Sequence, residues 1–553
     1  MNRKKWFACV LGTVLAPTLL ACGAPSQGDR AGEAKPEPQQ GGLVRIASPW
    51  NPTDLDVHGR SSNGNFRRFV WQSLLEHERN DPLHDFRIDY VMAPSLAERW
   101  EQPSPNTYVF HLRKGVRWHP STGSGQVGPE FTAKDVIFTF DHMLDPKNKY
   151  STAASLEGVD KYEAQDDYTI RVTRRSPAAD GLRTLGEIHI VGRHQGDQGD
   201  DFAKVASGTG TMKVVEFVRG TRVVLTRNDE YWEKGKPYID RFESIMGLER
   251  SGQLAAFAAR QSDFMIITDR PQFDTVKAAV PDLQYYSYAP GYNYGFRFKL
   301  DQPPYNDQRV RKAFHLALDR FEMRNTIAQG EGVINSFSAP GFRSGWGLSE
   351  AELKSVPGWR QPKEQDLVEA RRLLAEAGYP NGLKTKIHYD QTNSFYPYMT
   401  EVALGQLRKA GIQAEGVPQE TGAYNKTVAE GLFEVATTGG VGDSNVDRYL
   451  RSRWTSNGLD AKAVGLKDAK LDDLIARQDS ELNEERRKQL FREIDRYVLD
   501  QAYHAPTVSG QYYGVWQPYL MGVYPGFSGQ PWVYRTGDLW VDPRQAPAER
   551  RTR

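Results

Sequence analysis

Residues 108–119 read Tyr108-Val109-Phe110-His111-Leu112-Arg113-Lys114-Gly115-Val116-Arg117-Trp118-His119, and shortly after comes Phe131-Thr132-Ala133-Lys134-Asp135-Val136-Ile137-Phe138. The second run opens a helix. Thr132 stands where a cap belongs, and Asp135 follows three residues on, near the positive helix end. Val136, Ile137, Phe140, Met143 and Leu144 then line one face, and Asp145-Pro146 stops the element. Trp118, like Trp100 before it, stands among alternating or mixed apolar neighbours and reads as core rather than as an aromatic clamp.

Working outward, Gly42-Leu43-Val44-Arg45-Ile46-Ala47 reads as an opening strand. Val214-Val215-Glu216-Phe217 and Arg222-Val223-Val224-Leu225 read as a hairpin turning at Arg219-Gly220. Three later helices show apolar stripes: Val310, Ala313, Phe314, Ala317 and Leu318; then Leu367, Ala370, Leu373, Leu374 and Ala377, closed by Gly378 and Pro380; then Leu490, Phe491, Ile494, Tyr497 and Val498. Strands and helices mix throughout without a repeat period, which predicts an α/β or α+β body of several lobes.

The N-terminus carries an address. Arg3, Lys4 and Lys5 precede an apolar run from Trp6 to Leu20 that is too short to span a bilayer, and Leu19-Leu20-Ala21-Cys22 closes it. The pattern resembles a bacterial lipoprotein signal peptide, which implies cleavage before Cys22, lipidation of its thiol, and a protein that works outside the cytoplasm. Cleavage would remove Cys9, leaving neither a disulfide framework nor a cysteine metal site. It would also remove three positive side chains, taking the formal charge from +1 to −2, which offers nothing for nucleic acid to bind. The remaining chain of about 530 residues is long enough for two or more domains. From Gly23 to Gly42 the residues are glycine, alanine, proline, serine, glutamine and charged types without apolar periodicity; about 20 such residues form a flexible tether with a reach of roughly 25 Å.

Six segments, in order, resemble the family 5 extracellular solute-binding proteins of bacterial ABC importers. They are Ala93-Pro94-Ser95-Leu96-Ala97-Glu98-Arg99-Trp100-Glu101, the two runs quoted at the outset, Ser207-Gly208-Thr209-Gly210 leading to Asn228-Asp229-Glu230-Tyr231-Trp232, Pro303-Pro304-Tyr305-Asn306-Asp307-Gln308-Arg309-Val310-Arg311-Lys312-Ala313 with Ala317-Leu318-Asp319-Arg320, and Glu369 to Pro380. The resemblance implies an α/β, bilobed periplasmic-binding-protein fold of the type II, cluster C-like kind, with an extra subdomain inserted in the first lobe. It divides the chain into a signal peptide (1–21), a tether (22–42), lobe I (43–75, 205–289 and 511–553), the inserted subdomain (76–204) and lobe II (290–510). The crossings fall near Ala289 to Tyr294 and Pro506 to Tyr513. It further implies no catalysis and no cofactor, a monomer anchored to a membrane by lipid, and partners comprising a peptide or other small solute, an ABC permease and its ATPase.

Candidate ligand residues follow from the same likeness. In peptide-binding members a buried aspartate meets the peptide's ammonium group, and Asp443, in Gly439-Gly440-Val441-Gly442-Asp443-Ser444-Asn445, matches it by position. An enclosed carboxylate–ammonium bond contributes roughly 1.5–3 kcal/mol. Gly440 departs from the family's tryptophan, and a second reading has Asp443 capping the helix from Val446. Tyr292 and Tyr294 at the first crossing, with Tyr512 and Tyr513 at the second, are candidate cleft aromatics; strand alternation requires that some of them face a lobe core. Arg448, Arg451 and Arg453 read as a solvated cluster, and Arg309 and Arg311 as ion-pair partners of Asp307. His77 and His84, among Glu76, Glu78, Asp81 and Asp85, are a weaker metal candidate; no metal site is assigned. Gly208-Thr209-Gly210 lacks the lysine of a phosphate loop, and the chain has neither His-Glu-x-x-His nor Gly-x-Ser-x-Gly, which speaks against a hydrolase. An oligosaccharide, opine or metal chelate is the alternative ligand.

Overall fold

Apolar alternation along 169–174 and a nearly continuous apolar run along 107–112 favour strands over helices here. The structure, a computed structural model, describes residues 37–48, 52–59, 66–77, 91–121, 128–148, 150–288, 292–337, 346–441, 446–524 and 536–551. Thr107–Leu112 pairs antiparallel with Ala97–Ser104 on one side and Thr169–Arg174 on the other, and Val159–Asp166 completes a four-stranded sheet.

The helix Ala133–Leu144 packs on that sheet. Thr132 and Asp135 form a capping box, the Thr132 amide donating to Asp135 Oδ2 at 2.8 Å. Val136, Phe140 and Met143 are buried with Trp118 and Phe131, while Trp100 is half-buried against the same cluster. Leu144, expected on the buried stripe, is 46 % exposed, and Ile137 is half-buried. At 100° per residue these two side chains sit roughly 80–100° round the helix from Val136, beyond the edge of the contact.

A second sheet runs in the order Leu43–Ala47, Arg241–Ile245, Arg222–Arg227, Met212–Val218, its first pair parallel. The hairpin turns where expected, with Gly220 at φ +74°. The body's first contacts come from Gln40, which donates to the Gly235 carbonyl at 2.7 Å, and from the Gly41 amide, which donates to Tyr238 at 2.8 Å. A third sheet, Phe264–Ile267, Tyr512–Trp516 and Gln284–Tyr288, takes its middle strand from far along the chain.

The fourth sheet has the order Ile412–Gln419, Leu383–Asp390, Val435–Val441, Tyr292–Phe298, His504–Pro506, with the first three strands parallel. The helix Gln308–Ala317 belongs to its layer and starts at Asp307, whose carboxylate accepts from the Arg309 amide at 2.8 Å and pairs with the Arg309 guanidinium at 2.6 Å. Arg311 does otherwise than expected: it donates to the carbonyls of Tyr305 (2.7 Å), Asn306 (3.1 Å) and Gln501 (3.0 Å). It is buried where the helix Glu484–Gln501 ends, and the last carbonyls of a helix lack partners of their own.

The apolar clusters partition the molecule. One runs from Tyr294 to Val508. The others draw on residues 44–288 and 512–546. Among the described residues, no buried apolar side chain belongs to both sets, so two separately cored bodies are joined where the chain passes from Tyr288 to Tyr292 and from Ser509 to Tyr512.

Candidate functional site

At the junction the two bodies touch through tyrosines. Tyr294, from the five-stranded sheet, and Tyr512, from the three-stranded one, bring their hydroxyls to 3.2 Å. Tyr294 also packs on Phe395 with ring centroids 4.4 Å apart and meets Tyr396 edge-on at 5.9 Å, while Tyr512 meets Tyr288 edge-on at 5.8 Å. Tyr513 points to the other face of its strand, where its ring stacks on Phe273 at 4.2 Å and its hydroxyl donates to Glu331. Burial and that carboxylate push its hydroxyl above the ordinary tyrosine range. Glu331 also pairs with Arg270 of the opposite body at 2.6 Å. Neighbouring strand residues face opposite ways, which separates Tyr512 from Tyr513. Tyr292 opens its strand opposite Val441.

The parallel strands Leu383–Asp390 and Val435–Val441 end on this same side, and in open α/β sheets the carboxyl ends of strands are where ligands bind. The lip there is tightly built. A Cβ on Gly439 would lie 2.6 Å from the Tyr294 ring and 2.8 Å from the Tyr396 hydroxyl. Asp390 accepts from the Thr392 hydroxyl at 2.7 Å and the Thr421 hydroxyl at 3.0 Å. Tyr424 donates to the Thr437 carbonyl at 2.5 Å.

Beyond Val441 the next described element is the helix Val446–Trp454, and its start is held from the other body. The Val446 amide donates to Asp180 Oδ2 at 3.0 Å, and Arg487 donates to Asp180 Oδ1 at 3.0 Å. Arg487 also pairs with Asp447, whose Oδ2 accepts from the Asp180 amide at 3.3 Å. The Ala179 amide donates to the Asp479 carbonyl at 3.2 Å, and Arg451 pairs with the Asp479 carboxylate at 2.5 Å. Burial, then the neighbouring Asp447, pushes Asp479 up to about 8. Burial and Asp180 raise Asp447 as well. Burial alone would lower the Arg487 guanidinium, and Asp180 and Asp447 more than reverse it.

The arginines expected in solvent are engaged. Arg451 holds Asp479, and Arg453 pairs with Asp460 at 3.1 Å. Arg297 donates to the Thr438 hydroxyl at 2.6 Å. Arg448 is exposed. The reason is packing: the helix carrying these arginines lies against the helices Leu459–Val464 and Ala469–Ser480, which bring carboxylates to its sides. His77 pairs with Glu187 at 2.7 Å and is buried. Among the described residues no cluster of histidines, cysteines and carboxylates could hold a metal, and no helix is long and apolar enough to cross a membrane.

Asp443 and Cys22 lie outside the described residues, as does His84. Sequence reasoning did not single out Asp180, Asp447, Asp479 or Arg487. Asp180 stands 266 positions from Val446, and no local pattern marks it.

Comparison with known proteins places this architecture. The family model described as "Bacterial extracellular solute-binding proteins, family 5 Middle" matches residues 91–461. Heme-binding protein A of Haemophilus influenzae is 25 % identical over 496 residues, covering 85 % of this chain and 86 % of its own. The periplasmic oligopeptide-binding protein OppA of Escherichia coli is 27 % identical over 403 residues, covering 67 % and 70 %. The solved structure of the periplasmic binding protein DppA from Helicobacter pylori, in complex with the peptide STSA, superposes with a TM-score of 0.75 at 23 % identity, over 91 % of this chain and 99 % of that one. The two separately cored bodies are thus the two lobes of a periplasmic binding protein, a fold whose family binds solutes for transport and is not enzymatic. With well over half of its length matched, this chain belongs to the family 5 bacterial extracellular solute-binding proteins.

Proposed function

We propose that this protein captures short peptides between its two lobes outside the cytoplasm and delivers them to the permease of an ABC importer. The observation that supports this reading most directly is the aromatic lip at the lobe junction. Tyr294, Phe395, Tyr396 and Tyr512 surround the strand ends from which the chain continues to Asp443. An aromatic wall offers a side-chain-tolerant contact for ligands, and Asp443 would supply the charged contact for a free amino end. The reading takes residues 43–75, 205–289 and 511–553 as lobe I, 76–204 as its inserted subdomain and 290–510 as lobe II. It takes Cys22 as the lipidated first residue of a monomeric mature chain, since a lipid anchor of two or more acyl chains holds a protein stably at a membrane.

Mass spectrometry of the purified protein under native conditions tests this, with a tryptic digest of casein as the peptide source. The expected result is one bound peptide per chain, with Asp443→Ala weakening capture of free-amino peptides by about tenfold or more. A retained sugar, heme or metal chelate in place of peptide overturns the reading. Unchanged peptide capture by Asp443→Ala overturns the role given to Asp443.

A further inference from the structure

The second crossing between the lobes is short. Val508–Ser509 pairs with Val333–Ile334 on the lobe II side, and Tyr512–Trp516 is the middle strand of a sheet in lobe I. Between them Gly510 and Gln511 belong to neither ladder. This is where the crossing can bend, since hinges are a few loop residues that absorb the backbone change.

Glu331 sits beside that point, and its own loop fixes it there. The helix Arg320–Ala328 ends in a left-handed turn, with Gln329, Gly330 and Gly332 at φ +52°, +83° and +83°. The Gly330 and Glu331 amides close the turn by donating to the carbonyls of Arg324 at 3.2 Å and Ala328 at 2.9 Å. A Cβ on Gly332 would run into the Ser509 carbonyl, so the loop lies directly against the crossing strand. From this seat the carboxylate reaches two separate elements of lobe I. It pairs at 2.6 Å with Arg270, the first residue of the helix Arg270–Ala279, and it accepts from the Tyr513 hydroxyl. Lobe I itself holds both partners, Arg270 through Asp274 at 2.7 Å and Tyr513 through its ring on Phe273 at 4.2 Å.

We infer that Glu331 is a hinge clasp, which holds the two lobes near the touching angle seen here before any ligand arrives. The inference rests on the two-lobe capture proposed above. Tyr512 and Tyr513 face opposite sides of one strand. Tyr294 of lobe II meets the first and Glu331 of lobe II meets the second, so the crossing is gripped on both sides. A hinge tied on one side can swing away from its tie, whereas a hinge tied on both sides keeps its angle. Holding that angle tightens capture, because the apparent dissociation constant is the intrinsic one divided by the competent fraction. Glu331 and Arg270 are half-buried, so the grip is modest. Losing a pair of this kind lowers the competent fraction by about fivefold at most.

Small-angle X-ray scattering of the mature chain, produced without lipid and dialysed free of ligand, tests the clasp. Unliganded Glu331→Ala should have a larger radius of gyration than the wild type. So should Tyr513→Phe, which removes only the hydroxyl and keeps the ring on Phe273. Asp274→Ala, which takes a partner from Arg270 inside lobe I, should scatter like the wild type. The casein digest at saturation should bring Glu331→Ala back to the wild-type radius, with its midpoint at about fivefold higher digest concentration. If unliganded Glu331→Ala and Tyr513→Phe both scatter like the wild type, the clasp is wrong and two-lobe capture stands. Expansion of Asp274→Ala equal to that of Glu331→Ala also overturns the clasp, by placing the effect within lobe I. If the digest restores no variant and no peptide stays on the wild type in native mass spectrometry, capture falls, while an expanded unliganded Glu331→Ala still upholds the clasp. Circular dichroism melts that match the wild type exclude misfolding as the source of a larger radius.

Discussion

At the scale of single residues, buried polar side chains organise this protein by collecting backbone groups that would otherwise lie unpaired. Arg320 is fully buried and donates to the carbonyls of Pro506, His315, Leu318 and Gly358 at 2.7–3.0 Å while lying over the Trp359 ring. Burial lowers its guanidinium to about 9, still cationic at neutral pH. Asp495 does the converse with donors, accepting from the amides of Phe337 and Leu348 at 3.1 Å each and from the Ser336 hydroxyl at 3.0 Å. It thereby ties together the two ends that flank residues 338–345. Asp495→Ala should cost about 2–4 kcal/mol in urea unfolding, since two buried amides lose their acceptor. Burial pushes Asp495 up to about 6, above the carboxylate range of an unfolded chain. Its contribution to stability is therefore full below about pH 4 and falls as pH rises to about 6. Asp495→Asn should flatten that part of the stability–pH curve; an unchanged slope would assign the titration elsewhere.

At the scale of elements, caps and turns follow their local sequence. The Thr132–Asp135 box could be read from two residues three apart, because a cap depends only on its own first turn. Thr132→Ala should lower stability by about 1 kcal/mol and shift the melting temperature by a degree or two without altering ligand capture. The hairpin around Gly220 and the stop at Gly378, with φ +95°, were equally readable. Readability failed where an element's second side was at issue. Leu144 lies past the edge of a contact whose width depends on the sheet beneath it. Arg451 and Arg453 read as solvated because their own helix says nothing of the carboxylates on Ala469–Ser480 and at Asp460. Arg311 found carbonyls 190 positions away in preference to the aspartate four residues before it.

At the scale of the whole molecule, the lobe boundary is bridged by Tyr294 and Tyr512 near the crossings and by Asp180, which reaches Arg487 and the Val446 amide of the opposite lobe. A double-mutant cycle on Asp180→Ala and Arg487→Met, read as affinity for the casein digest, should show the joint loss falling short of the product of the single losses, as for residues that share one contact. Independent losses would mean that Asp180 acts through the Val446 amide alone. The ligand side is less evenly readable. The order of segments points to the family, and the crossing tyrosines follow from the hinge positions that this likeness implies. Asp443 was named by position only.

By itself, the sequence determined what neighbours within a turn or a strand pair decide: the α/β mixture, the capping box at Thr132, the turn at Gly220, the stripe of Gln308–Ala317, and the segment order of a family 5 binding protein. Only the tertiary structure decided that Tyr512 and Tyr513 go to different cores, that Arg311 serves carbonyls, and that Asp180 caps a helix of the opposite lobe. The physical reason is range. Capping and periodicity are energies of adjacent residues, whereas the partner of a buried charge is set by which surfaces the summed packing brings together and strips of water.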